Sequence, residues 1–115
     1  MDITIGSGVL RHDYYDLAPS TRYVTLSGEA DLATADQLGQ ELERLLSPSW
    51  VSCLTLDLTA LQFLDCAALS ALLAVRSSAR TRGQQVTITA AARTPARVLA
   101  VTGMGRLFGY PPPLT

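Results

Sequence analysis

The residues best placed to do chemistry lie in Leu56-Asp57-Leu58-Thr59-Ala60-Leu61-Gln62-Phe63-Leu64-Asp65-Cys66-Ala67-Ala68-Leu69. The stretch reads as a strand, an apolar loop and the start of a helix. The first turn of a helix leaves backbone N–H groups unpaired and carries about half a positive charge. Asp65 stands where a carboxylate can cap those donors, and a simple N-cap accounts for it without any further role. Cys66 has two readings: a thiol with a lowered pKa at a helix N-terminus, or a small hydrophobe. Glu29 and Asp31 could imitate a catalytic carboxylate pair, but no nucleophile or base accompanies them.

Other chemistries are excluded by inventory. The only histidine, His12, cannot build a multi-histidine metal site, and Cys53 and Cys66 cannot form a four-cysteine zinc site. A disulfide between the two is not expected. Residues 54–58 of one strand would hold them ~16 Å apart at ~3.3 Å each, against a limit of about 7 Å between Cα atoms. All nine basic residues are arginine. The absence of lysine rules out Schiff-base catalysis and a P-loop lysine. A net charge of −1 gives no footprint for a phosphate backbone, so direct nucleic-acid binding is not expected. No cofactor is implied, and no enzyme is expected.

The elements that must position these residues follow from composition and periodicity. The chain has 115 residues, 48% hydrophobic and 17% charged, which suits a single domain with a true core. Residues 1–8 carry no long apolar run, and no stretch approaches ~18 uninterrupted apolar residues. No membrane span is therefore expected, and two cysteines without an export signal suggest a cytoplasmic protein.

Strands are predicted over 9–17 and 22–27, with 18–20 as the turn between them, and residues 2–5 are either an edge strand or frayed. Thr34 offers an N-cap to a helix whose Leu38, Leu42, Leu45 and Leu46 recur at helical spacing. A strand over 53–58 follows, then a loop over 59–65 and a helix to about residue 81, with Gly83 closing it. A strand over 86–89 precedes a short helix opened by Thr94-Pro95 and closed by Gly103. The order β-β-α-β-α-β-α implies an α/β fold: a mixed sheet of four to five strands with parallel βαβ crossovers and about three helices. His12 falls in the first, edge strand, and 109–115 form an irregular proline-rich tail.

Three blocks in order resemble the STAS domain, typified by bacterial anti-sigma factor antagonists, also called anti-anti-sigma factors. They are Gly28-Glu29-Ala30-Asp31-Leu32, Leu56-Asp57-Leu58 and Phe63-Leu64-Asp65-Cys66-Ala67-Ala68-Leu69. The ending Val98-Leu99-Ala100-Val101-Thr102-Gly103-Met104-Gly105-Arg106-Leu107-Phe108 is similar to that family's closing helix and turn. The resemblance spans residues 9–108, and the whole chain, 1–115, is read as one STAS domain.

The resemblance implies a regulatory protein that binds a kinase-type anti-sigma factor of histidine-kinase-like ATPase fold and so frees a sigma factor. In the family the motif usually reads Asp-Ser-Ser/Thr-Gly-Leu, and its second hydroxyl residue is phosphorylated. Here Asp65 takes the aspartate place, Cys66 the first serine, Ala67 the phosphoacceptor, Ala68 the glycine and Leu69 the leucine. Alanine has no hydroxyl, so the usual phospho-switch is expected to be absent. Ser70, about one turn deeper, is the only nearby substitute and otherwise reads as a helix-surface or packing serine. Asp31 matches an aspartate of partner recognition; without the family it reads as a polar loop residue capping the next helix. Arg76 and Arg80, at i and i+4, are a solvated stripe or a surface for acidic groups of the partner. The alternative function is a ligand-sensing or scaffold module that binds a nucleotide or a transport-complex partner.

Overall fold

The structure is a computed structural model describing residues 9–113. Residues 2–5, read as either an edge strand or frayed, lie outside the described residues. Strand β1 (Leu10–Leu17) pairs antiparallel with β2 (Thr21–Ala30), which runs parallel to β3 (Cys53–Leu64), itself parallel to β4 (Gln85–Ala91). The sheet order is β1-β2-β3-β4. Helix α1 (Ala35–Leu46) connects β2 to β3, and α2 (Cys66–Thr81) connects β3 to β4. Helix α3 (Arg93–Thr102) and a 3-10 turn, Met104–Phe108, complete the chain.

One face of the sheet supplies the core. Val24, Leu26, Leu54, Leu56, Leu58 and Ile88 are buried against the leucine stripe of α1 and against Leu69, Leu72 and Val75 of α2. The alternate residues point the other way and are mostly hydroxyl-bearing. Tyr15 stacks on Tyr23 with ring centroids 5.1 Å apart, and Thr87 donates to Thr55 at 3.3 Å. Period-two alternation thus separates an apolar, helix-covered face from a polar one.

Helix ends are closed by specific groups. The terminal carbonyls of α1 accept from Arg22 Nη1 at Leu45 (3.0 Å) and from Gln84 Nε2 at Leu46 (2.8 Å). Those orphan acceptors would otherwise be buried unpaired. Gly83, at φ +75°, lets the Gln84 N–H return to the Ala79 carbonyl at 2.9 Å and closes α2.

Two expectations are corrected. The expected loop over 59–65 is the second half of β3, which continues to Leu64 and pairs with β2 through Ala30↔Leu64. Two register shifts against β2 bring Leu58, Leu61 and Leu64 inward at intervals of three, so alternation fails as a signal there. Helix α3 opens at Ala92 rather than at Thr94. Pro95 lies in the first turn and is buried, and the first helical bond runs from Ala96 N–H to the Ala92 carbonyl at 2.9 Å. A proline in that turn forfeits only an N–H that has no intrahelical partner.

Candidate functional site

The carboxyl ends of β2 and β3 lie side by side, and the chain leaves each through a short junction into a helix. From β2, residues 31–34 form a tight turn in which the Asp31 carbonyl and Oδ1 accept the Thr34 N–H at 3.0 and 3.1 Å. The Thr34 hydroxyl accepts from Asp31 N–H at 2.9 Å and donates to the Glu29 carbonyl at 3.1 Å. Thr34 therefore occupies the N-cap position of α1, as expected, but its side chain locks the turn and makes no cap bond. Asp31 is buried, and its Oδ1 serves the turn.

From β3 the chain passes straight into α2 through Asp65, the N-cap. Its Oδ1 accepts from Ala68 N–H at 3.0 Å, as a cap should. Its Oδ2 accepts from Leu32 N–H at 3.0 Å, across 33 positions of sequence. One carboxylate thus caps the start of α2 and ties the β2–α1 turn to the β3–α2 junction. The backbone repeats the link, since Asp65 N–H donates to the Ala30 carbonyl at 3.1 Å.

Between the two junctions opens a groove of about 540 Å³ lined by Glu29, Asp31, Leu32, Ala33, Phe63 and Asp65. Its rim is apolar: Leu32 is 78% exposed and Phe63 43%. Leu32 and Phe63 stood inside the family-like blocks, but composition alone did not single them out. The available signal was an apolar residue in a turn and another breaking alternation at a strand end.

The remaining site residues are split by the helix. Cys66 is exposed and a free thiol at the first position of α2, and Cys53 is a free thiol at the other end of β3. Ala67 is half-buried, Ala68 and Leu69 are buried, and Ser70 is exposed. Leu69 faces the core, so the helix start offers a partner only Cys66, the edge of Ala67 and Ser70.

Arg76 and Arg80 do not join this groove. They line a separate crevice with Val86, Thr87 and Leu107, where Arg76 Nε donates to the Leu107 carbonyl at 2.7 Å. That bond anchors the final turn, and Arg80 is the exposed member of the stripe. Among the described residues, no three His, Cys, Asp or Glu side chains are grouped to hold a metal. Likewise no described helix is long and apolar enough to cross a membrane.

Comparison with known proteins places these features in a family. The chain is similar to the crystal structure of an anti-sigma factor antagonist from Mycobacterium paratuberculosis, with 24% identity, a TM-score of 0.78, and 97% and 92% of the two chains covered. It is also similar to the anti-sigma factor antagonist SpoIIAA in its unphosphorylated form, with 15% identity, a TM-score of 0.71 and 84% of each chain covered. The phosphorylated form of SpoIIAA, described as a Bacillus cell fate determinant, matches with 15% identity and a TM-score of 0.64, covering 84% of this chain and 87% of that one. These likenesses show the fold. No curated protein sequence matches the chain significantly. A family model described as the Mlab STAS domain matches residues 14–109, and the chain belongs to the STAS domain family.

Proposed function

We propose that this chain is a non-catalytic binding module, an anti-sigma factor antagonist that engages a histidine-kinase-like anti-sigma factor through the groove at the β2–α1 and β3–α2 junctions. The observation that supports this reading is the apolar rim of Leu32 and Phe63, on either side of the junctions that Asp65 ties together through its bonds to Leu32 N–H and Ala68 N–H. Exposed apolar groups on a hydrogen-bonded frame are what a protein interface needs at its centre.

The usual switch would add about −1.5 to −2 charges at the second helical position. That charge is tolerable at a free helix N-terminus and costly in a desolvated interface. Ala67 has no side-chain hydroxyl to accept it, so the module stays competent to bind unless another input controls it. A second reading, a scaffold module of a different complex, draws support from the match to the Mlab type of the domain together with the missing hydroxyl.

Affinity capture from the native host, followed by mass spectrometry, separates the two. Recovery of a histidine-kinase-like ATPase, lost in Leu32→Asp, is the expected result. Recovery of transport-complex subunits in its place would overturn the antagonist reading. With the captured kinase and ATP, the natural chain should remain unmodified while Ala67→Ser becomes phosphorylated. A phosphopeptide carrying Ser70 from the natural chain would refute the loss of the switch.

A further inference from the structure

Among the described residues, β1 is the eight-residue strand, Leu10–Leu17, at the margin of the sheet. The alternation of its backbone groups is fixed at one end. Glu29 N–H donates to the Val9 carbonyl at 2.8 Å, in continuation of the Leu10↔Gly28 register. Antiparallel pairs alternate between hydrogen-bonded and open. Arg11, Asp13, Tyr15 and Leu17 therefore turn their backbone N–H and C=O toward β2, whereas Leu10, His12, Tyr14 and Asp16 turn theirs outward. A second observation agrees: the Leu10 carbonyl is met from outside the sheet by Gln37 Nε2 at 3.2 Å. Such an edge is a template for another strand.

We propose that two copies of this chain pair through β1, antiparallel, about a two-fold axis at Tyr14 that stands perpendicular to the sheet. Facing residues of an antiparallel pair share a face, and a two-fold axis relates residue i to residue j symmetrically. Only registers with an even sum of residue numbers are therefore allowed. A register centred on His12 or Asp13 would require the Leu10 carbonyl that Gln37 occupies, and centring on Asp13 also sets two aspartates face to face. A register centred on Tyr15 uses only the outward groups of Tyr14 and Asp16.

Centring on Tyr14 uses the outward groups of His12, Tyr14 and Asp16 together. Each Tyr14 then exchanges both backbone bonds with its twin, and each His12 does so with Asp16 of the other copy. The imidazole faces a carboxylate twice, and no like charges oppose. Charges on an edge usually repel a second copy; here Asp16 is already neutralised by Arg22, and His12, whose Nε2 lies 3.6 Å from Glu41 Oε1, faces it with no like charge opposite. Tyr14 and Tyr15, about half exposed, gain cover from the partner strand on the two faces of the sheet.

Sedimentation analysis and an engineered cross-link test the pairing. At tens of micromolar the natural chain should sediment near twice its 12.3 kDa mass. Tyr14→Pro, which removes an outward N–H without touching a β2 bond, should give the monomer. Tyr14→Ala, which keeps that N–H but loses the ring over Arg22, should still dimerise. Thermal melting checks that each variant is folded.

In a Cys66→Ser background, Tyr14→Cys should cross-link on oxidation, because facing Cα atoms at a hydrogen-bonded pair lie ~5.5 Å apart. His12→Cys alone should not cross-link, while His12→Cys with Asp16→Cys should. A monomer at all concentrations, or cross-linking of His12→Cys as readily as of Tyr14→Cys, would overturn the proposal.

Discussion

Replacing Asp65 by alanine tests whether one carboxylate joins the two junctions or only caps a helix. Loss of an N-cap acceptor costs about 1 kcal/mol. The bond from Leu32 N–H to Oδ2 is charge-assisted and partly exposed, and contributes about 1 kcal/mol more. The two losses sum to about 2 kcal/mol, since the groups they release, Leu32 N–H and Ala68 N–H, lie on different elements. For a domain of this size, that corresponds to a fall in Tm of about 8 °C.

Asparagine is the more discriminating change. Its single carbonyl oxygen can serve Ala68 or Leu32, while its amide meets the other N–H donor to donor. About half the stability loss, ~1 kcal/mol, is expected. Thermal unfolding gives the magnitude, and amide hydrogen exchange gives the location. Both Leu32 and Ala68 amides should lose protection in Asp65→Ala. Leu69, whose N–H donates to the Asp65 backbone carbonyl at 2.9 Å, should change little. If Leu32 exchange is unaltered and asparagine matches the wild type, Asp65 is an ordinary cap and the coupling of the junctions is wrong.

Three further outcomes follow from other parts of the molecule. Leu32→Asp or Phe63→Asp should weaken partner binding at least tenfold while moving Tm by no more than a degree or two, because both side chains are exposed; isothermal titration and melting read the two effects separately. Gly28→Ala should destabilise by ~2 kcal/mol or more in chemical denaturation, since φ is +89° and the new Cβ would collide with the Val9 carbonyl. The Arg22 guanidinium, hydrogen-bonded to Asp16 at 2.7 Å, lowers that carboxyl from its ordinary value. The pair therefore contributes stability above the unfolded-state value near ~3.9 that is lost as pH falls through the lowered folded-state pKa. Asp16→Asn should flatten this acid limb, and an unchanged limb would place the dependence elsewhere.

The helices were legible because their signals are local. Leu38, Leu42, Leu45 and Leu46 announce α1, and all four are buried. The far half of β3 was not, because its inward residues Leu58, Leu61 and Leu64 follow bulges that depend on β2. No window of β3 sequence contains that pairing. Asp65 was legible as a cap from its neighbours, but its bond to Leu32 was not, since 33 residues separate them. The same holds for Arg76: a stripe with Arg80, whether solvated or facing a partner, gave no sign of its bond to the Leu107 carbonyl, 31 residues away. Side chains that join distant segments carry no periodic signature, and here one of them, Asp65, supplies the frame of the site.

The groove and the β1 edge are geometrically separate, and the symmetry of the proposed pairing makes that separation testable. Leu10 faces Gly28, so the beginning of β1 lies near the groove end of β2, and Tyr14 lies four residues away, ~14 Å at ~3.4 Å per residue. A perpendicular two-fold axis at Tyr14 sends the second groove to the opposite end of the joined sheet. A partner seated on one Leu32–Phe63 rim would then not reach the other rim, and each copy would bind independently. Tyr14→Pro should accordingly abolish the dimer while leaving intrinsic affinity for the captured partner within twofold. Loss of both together would mean that the partner spans the β1 edge, and that the groove alone is not the interface.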